Sequence, residues 1–335
     1  MSDFVQFPDE VYTQAGNVFA TFAGATAGFT LPNARAMMWF AQLAYEVDTT
    51  GGSSTASKID RIRTLWEFQS VTTFRARAVS PVASFDTTGV FGERADAIVL
   101  SFAGTDPAVW ETLATDFNPR IGPDNTHVGF QAGFNAITND VRSAVTLSQQ
   151  RNKPLFIAGH SLGAALAALA ARFAVSQNQA PRAVYAYGMP RTGDAAFQTA
   201  YNGALGDVTY RLVHGRDLVA RVPMSFLNYR HVGNVLPCVS NAKFVAGNLS
   251  TDRRDQPDFD SDTFQALLSA VSVAQSAHFV RQLATFQIRT DKELLQAMKD
   301  LLQPPGHGPL GATFRALPPA IREHLQDRYI AALAP

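Results

Sequence analysis

Cysteine is almost absent from this chain. Cys238 is the only one in 335 residues, so no disulfide can form within it. A lone thiol in "NVLPCVS", with no motif around it, reads as a small buried hydrophobe. Net charge is also missing: 28 basic side chains balance 28 acidic ones, and no run of Lys or Arg concentrates charge locally. That excludes the basic footprint through which proteins hold nucleic acid or anionic membranes. The start of the chain carries Asp3, Asp9 and Glu10, and its first basic residue is Arg35. A secretory signal opens on positive charge, so none is expected, and the expectation is a cytoplasmic protein or one exported by a non-classical route. No stretch approaches the roughly eighteen uninterrupted apolar residues of a membrane-spanning helix. Internal repeats and long low-complexity tracts are absent too.

What is present is the material of a large core. Hydrophobic residues make up 46% of the chain and charged ones 17%, the profile of a globular protein. "ARAMMWFAQLAYEV" (34–47) has apolar residues at helical spacing. "TTGGSSTAS" (49–57) reads as a loop. Two or three strands follow between residues 65 and 103, the last from Ala97 to Ala103. A helical pattern at "AVWETLATDF" and a Pro/Gly loop precede a helix from about Gly129 to Gln150. Three apolar runs, 155–159, 183–190 and 208–215, alternate with helical patterns, which predicts βαβ units and a mixed, mainly parallel sheet. Helical segments at 291–302 and 317–333 are joined by "QPPGHGPLG". The division expected is an N-terminal extension (1–33), an α/β domain (34–288) and a C-terminal helical extension packed on it (289–335).

"LFIAGHSLGAALAALA" (155–170) holds the chemistry. Gly159-His160-Ser161-Leu162-Gly163 fits G-x-S-x-G, with the strand before and the helix after that a nucleophile elbow requires. A serine at such a turn takes strained backbone angles, so the positions two before and two after it must be small. The helix that starts there points its free amides at the reacting centre.

A serine hydroxyl needs a base, and the base needs an orienting acid. Asp217 in "VHGRDLVARVP" follows a strand end, which puts it on a loop at the carboxyl edge of the sheet beside the serine. Asp194 in "PRTGDAAF" is a rival, better read as a helix cap. Four histidines follow Asp217. His307 and His324 read as surface residues, the first in a Gly/Pro loop and the second on a terminal helix between charges. His278 in "AQSAHFVRQL", at a loop-to-helix junction, is favoured as the base, with His231 in a strand-like hairpin close behind. Oxyanion donors are expected from the backbone N–H of Leu162 and from Thr105 in "VLSFAGTDP".

Taken together, these segments resemble the class 3 lipases, the filamentous-fungal type of triacylglycerol lipase with bacterial relatives. The resemblance runs from about Ala34 to Phe286. "VLSFAGTDPAVW" is similar to the family's oxyanion segment, "THVGFQAGF" to its H-x-G-F segment, "YAYGMPRTGDAAF" to its G-x-P-R-x-G segment, and "VHGRDLVARVP" to its H-x-x-D-x-V-P segment. It implies an α/β-hydrolase fold, a mixed, mainly parallel sheet flanked by helices. It also implies Ser161 as nucleophile, Asp217 as acid, Thr105 and Leu162 as oxyanion donors, and His278 rather than His231 as base. Two positions depart from the family pattern: Ala103 stands where Arg is usual, and Ala220 where Pro is usual. The family's lid would fall at about Asp106 to Asp124. There Val109, Leu113 and Phe117 recur at i, i+4, i+8 beside Trp110, one apolar face that could cover a cleft or lie on an interface.

The function expected is hydrolysis of acyl-lipid esters through an acyl-enzyme on Ser161, at a lipid–water interface, with no metal or cofactor. Phospholipase A1 and acyltransferase chemistry would use the same residues, and a non-catalytic binding protein on the same scaffold is the alternative of another class. Phe226 and Leu227 are candidates for the acyl pocket.

Overall fold

In a computed structural model of the chain, residues 6–47, 53–79, 84–104, 120–217, 219–223, 225, 228–252 and 323–335 are described. A seven-stranded sheet organises them. β1 (Ser70–Val79), β2 (Ser84–Glu93) and β3 (Ile98–Phe102) form an antiparallel meander. β4 (Leu155–His160), β5 (Ala183–Tyr187), β7 (Thr209–His214) and β9 (Asn234–Cys238) continue from β3 in parallel, in the order β1-β2-β3-β4-β5-β7-β9. Two short strands, β6 (Gly193–Asp194) and β8 (Tyr229–Arg230), pair antiparallel apart from it.

Parallel neighbours need crossovers, and the first three are helical: α4 (Val128–Arg151) between β3 and β4, α5 (Leu162–Ser176) between β4 and β5, and α6 (Ala195–Leu205) between β5 and β7. The two faces of the sheet can be read off β3. Ile98, Leu100 and Phe102 join a core with α4, α5 and α6. Val99, between them, joins the core on the opposite face. This alternation is what the two-residue period of a strand imposes. β4 is buried along its whole length, as expected of a strand covered on both faces. The α/β-hydrolase architecture expected from the sequence is the one found.

The second face is covered by α1 (Asp9–Ala15), α2 (Leu31–Leu43), α3 (Ser53–Leu65) and α7 (Gln326–Leu333). Thr30 caps α2 by accepting from the N–H of Asn33. A 3-10 turn, Ala44–Glu46, ends that helix and carries Tyr45 into the core. The segment before residue 34, expected from sequence to be an N-terminal extension, contributes α1 and buries Tyr12, Val18 and Phe19 in this face. The supposed loop at 49–57 runs into α3, whose Ile59 and Ile62 are buried, followed by Trp66. At the other end of the chain α7 puts Tyr329, Ala332 and Leu333 into the same core. Among the described residues, no helix is long and apolar enough to cross a membrane.

Candidate active site

The turn after β4 has the backbone the sequence requires. Ser161 sits at φ 61°, ψ −131°, a region that L-residues avoid. Its N–H donates to the Tyr187 carbonyl on the neighbouring strand at 2.9 Å, and its hydroxyl makes no capping bond to α5. A Cβ on Gly159 would lie 2.0 Å from the Gly163 carbonyl oxygen, and one on Gly163 would lie 2.3 Å from that of Phe102. Both contacts are backbone on backbone, so a side chain at either position would force the turn apart. Gly104, just after β3, comes equally close: its Cβ would meet the Ser161 Cβ at 2.6 Å. The segment predicted to supply an oxyanion donor therefore lies against the serine. Leu162 opens α5, where first-turn amides have no intrahelical acceptor. Thr105 lies outside the described residues.

Asp217 is completely buried on the loop after β7. Its Oδ1 accepts from the N–H of Val219 at 2.8 Å and, more distantly, from that of Ala220 at 3.4 Å. A proline at 220 would have no N–H to offer, so this departure from the family pattern adds a donor. Oδ2 accepts from the Tyr329 hydroxyl at 2.6 Å and from His324 Nδ1 at 2.8 Å. Burial pushes the carboxyl pKa up, but the His324 imidazole and the Tyr329 hydroxyl outweigh it, so it lies below the ordinary 3.8. Gly188, at φ +56°, leaves room for this contact: its Cβ would be 2.6 Å from Asp217 Oδ2 and 2.7 Å from His324 Nδ1.

The histidine on Asp217 is thus His324, which the sequence reading set aside as a surface residue of a terminal helix. His324 is only 4% exposed. The helix begins two residues later, at Gln326, so His324 stands in a turn before α7. The Glu323 carboxylate docks on the N–H of Arg216, one residue before the acid. The His324 ring stacks on that of His160, with centroids 4.6 Å apart and planes at 28°. His160 immediately precedes Ser161, so serine, imidazole and carboxylate share one end of the sheet. His278, the base expected from sequence, lies outside the described residues. So do the lid candidates Val109, Trp110, Leu113 and Phe117, and the pocket candidates Phe226 and Leu227.

The other candidates hold the frame. His231 is buried, and its Nε2 faces the Ala220 carbonyl at 2.8 Å. Burial and the nearby Arg211 and Arg191 charges hold its pKa well below the usual histidine value. It braces the loop after Asp217. Asp194 caps α6 through the N–H of Phe197, as read from sequence. Sequence reasoning missed Arg191: it is buried, its N–H donates to the Val222 carbonyl, and its guanidinium donates to those of Arg221 and Pro223. Tyr45 and Tyr329 were missed as well, because each reaches the site only through tertiary packing. Cys238 is buried, as expected.

Residues 99–227 match the family described as lipase (class 3). Secreted mono- and diacylglycerol lipase A of Penicillium cyclopium is 30% identical over 171 residues, 47% of this chain and 55% of that protein. Lipase ZK262.3 of Caenorhabditis elegans is 30% identical over 222 residues, 62% of this chain and 59% of that one. The chain thus spans between half and two thirds of the length of these curated relatives. Among solved structures, lipase II of Rhizopus niveus superposes with a TM-score of 0.51 at 20% identity, over 69% of this chain and 89% of that one. A mutant form of MDLA from Penicillium cyclopium gives 0.51 at 23%, over 70% and 90%. At such identities the structural likeness speaks for the fold alone. The segment that matches the class 3 lipase family contains both the serine elbow and the Asp217 loop.

Proposed function

We propose that this protein is a serine carboxylic ester hydrolase of acyl lipids, working through an acyl-enzyme on Ser161 with His324 as its base. The observation that carries the reading is the buried Asp217–His324 pair beside a strained serine turn. Asp217, held ionised by its donors, fixes His324 with Nδ1 protonated. That leaves Nε2 to take the serine proton as Ser161 attacks the ester carbonyl. The oxyanion is met by the N–H of Leu162 and by a donor from Thr105, each contributing on the order of 3 kcal/mol at the transition state. The alcohol leaves with the proton from His324, and water then cleaves the acyl-enzyme by the same route in reverse. The relatives named mono- and diacylglycerol lipases support acylglycerols as the substrate class. Residues 106–124, with their apolar face of Val109, Trp110, Leu113 and Phe117, are proposed as a lid that opens on a lipid surface.

The test measures hydrolysis of a glycerol ester, and labelling by a serine-directed phosphonate, for Ser161→Ala, His324→Ala and His278→Ala. The reading expects the first two to lose at least a thousandfold in kcat and the third to keep its rate. An active His324→Ala chain beside an inactive His278→Ala chain would return the base to His278. A Ser161→Ala chain of undiminished rate would end the proposal.

A further inference from the structure

His160 precedes the serine and stacks on the ring of His324, yet the reaction gives it no task. Its ring is buried and both nitrogens are engaged. Nε2 is 2.7 Å from the backbone carbonyl oxygen of His324, and Nδ1 is 2.7 Å from the hydroxyl of Tyr45. A carbonyl can only accept, so Nε2 must carry the hydrogen. Burial and the proximity of His324 lower the pKa of His160 to about 3, which keeps the ring neutral. Nδ1 then holds a lone pair, and the Tyr45 hydroxyl donates to it. The direction of each bond is therefore fixed: Tyr45 O–H to His160 Nδ1, and His160 Nε2–H to His324 O.

We infer that Tyr45 and His160 form a positioning relay that holds His324 by its main chain, as Asp217 holds it by its ring. The relay rests on the reading of His324 as the base. Asp217 alone leaves the imidazole free to swing about its own contact, whereas a second bond to the carbonyl fixes the turn from which the side chain projects. Glu323, docked on Arg216 N–H, pins the preceding residue. The stacked geometry explains why a neutral residue is used here: a cation 4.6 Å from the ring of His324 would oppose the imidazolium that forms when the serine proton is taken. The Tyr45 hydroxyl serves a second surface, since a Cβ on Gly104 would lie 2.5 Å from it. It thereby touches the oxyanion segment and the relay at once, from the turn that ends α2, 115 residues from His160 in sequence.

The experiment compares Tyr45→Phe, His160→Leu, His160→Gln and the Tyr45→Phe/His160→Leu double variant. Each kcat is expressed per active site titrated with phosphonate, so that loss of folded protein is removed from the comparison. His160→Leu is expected to lower kcat about a hundredfold with KM unchanged, the scale on which misplacing a catalytic group acts. Glutamine offers an amide N–H to the carbonyl and an oxygen to Tyr45, and should restore about tenfold. Tyr45→Phe should cost about tenfold alone and nothing further on top of His160→Leu, since the two act in series. If His160→Leu does not fold, Tyr45→Phe, which removes a single oxygen, carries the test with the same KM criterion. Titrated variants with kcat within twofold of the parent, or equal losses for Leu and Gln, would overturn the relay. His324→Ala separates the two claims: if it is inactive while His160→Leu turns over normally, the relay fails and the base stands.

Discussion

The same histidine makes the protein sensitive to acid, and the effect can be sized. His160 falls from the usual 6.5 to about 3 because burial, and then the neighbouring His324, disfavour its charged form; Asp217 and the His324 carbonyl pull the other way without prevailing. Below pH 6.5 the unfolded chain takes up a proton that the folded chain refuses. The unfolded state then binds more protons, so stability falls as pH falls, by about 1.4 kcal/mol per pH unit for this one group. Between pH 6.5 and pH 3 the loss totals about 5 kcal/mol, of the order of a whole domain's stability. His231 and His214, whose pKa values burial also lowers, act with the same sign. Asp217, lowered from 3.8, adds stability above that value and loses it only as pH drops further. The window from pH 6 to 4.5 therefore belongs to the histidines. Urea unfolding of the parent and of His160→Gln, measured across that window, isolates one proton. Whatever gap separates them at pH 7, it should close by about 2 kcal/mol in favour of the glutamine variant by pH 4.5. Stability curves that stay parallel would mean that His160 takes its proton in the folded state, and the reasoning from its burial would be wrong.

Two further substitutions probe the turn and the acid. Gly159→Ala puts a methyl group 2.0 Å from the Gly163 carbonyl oxygen; it should lower stability by at least about 2 kcal/mol and abolish phosphonate labelling of Ser161, read by thermal melting and by mass. Asp217→Asn keeps the shape but turns an acceptor-only group into one that also donates, so His324 is no longer held with Nδ1 protonated; kcat should fall on the order of 10³–10⁴-fold with the fold retained by circular dichroism.

How much of this was legible beforehand depends on how local each cause is. The elbow could be read because its pattern lies within five residues: a Cβ on Gly159 would collide with the Gly163 backbone that the turn itself brings close, while Gly163 is held small by the end of β3. The parallel strands β4, β5 and β7 could be read because each carries its own apolar run, and Asp217 because it follows one of those runs directly. Asp194 announced itself as a cap by its place before a helix. α3 was missed although its signal was present, since Ile59, Ile62 and Trp66 recur at helical spacing behind a Ser-rich start. The histidine on Asp217 escaped the sequence reading for a different reason. The rule used to choose among candidates, a side chain at a loop-to-helix junction, was sound, but 317–333 was read as one continuous helix and the junction at 324 disappeared. Nothing near His324 in sequence marks it. Its partners, Asp217 and His160, lie 107 and 164 residues away, and the resemblance pointed to His278, which lies outside the described residues. A base need only reach its serine in space, so the length of chain between acid and base is free to grow wherever the intervening segment does not disturb the site. The elbow, whose Gly159 must fit against the backbone of Gly163, has no such freedom, and that is why the serine turn could be read from the sequence and the histidine on Asp217 could not.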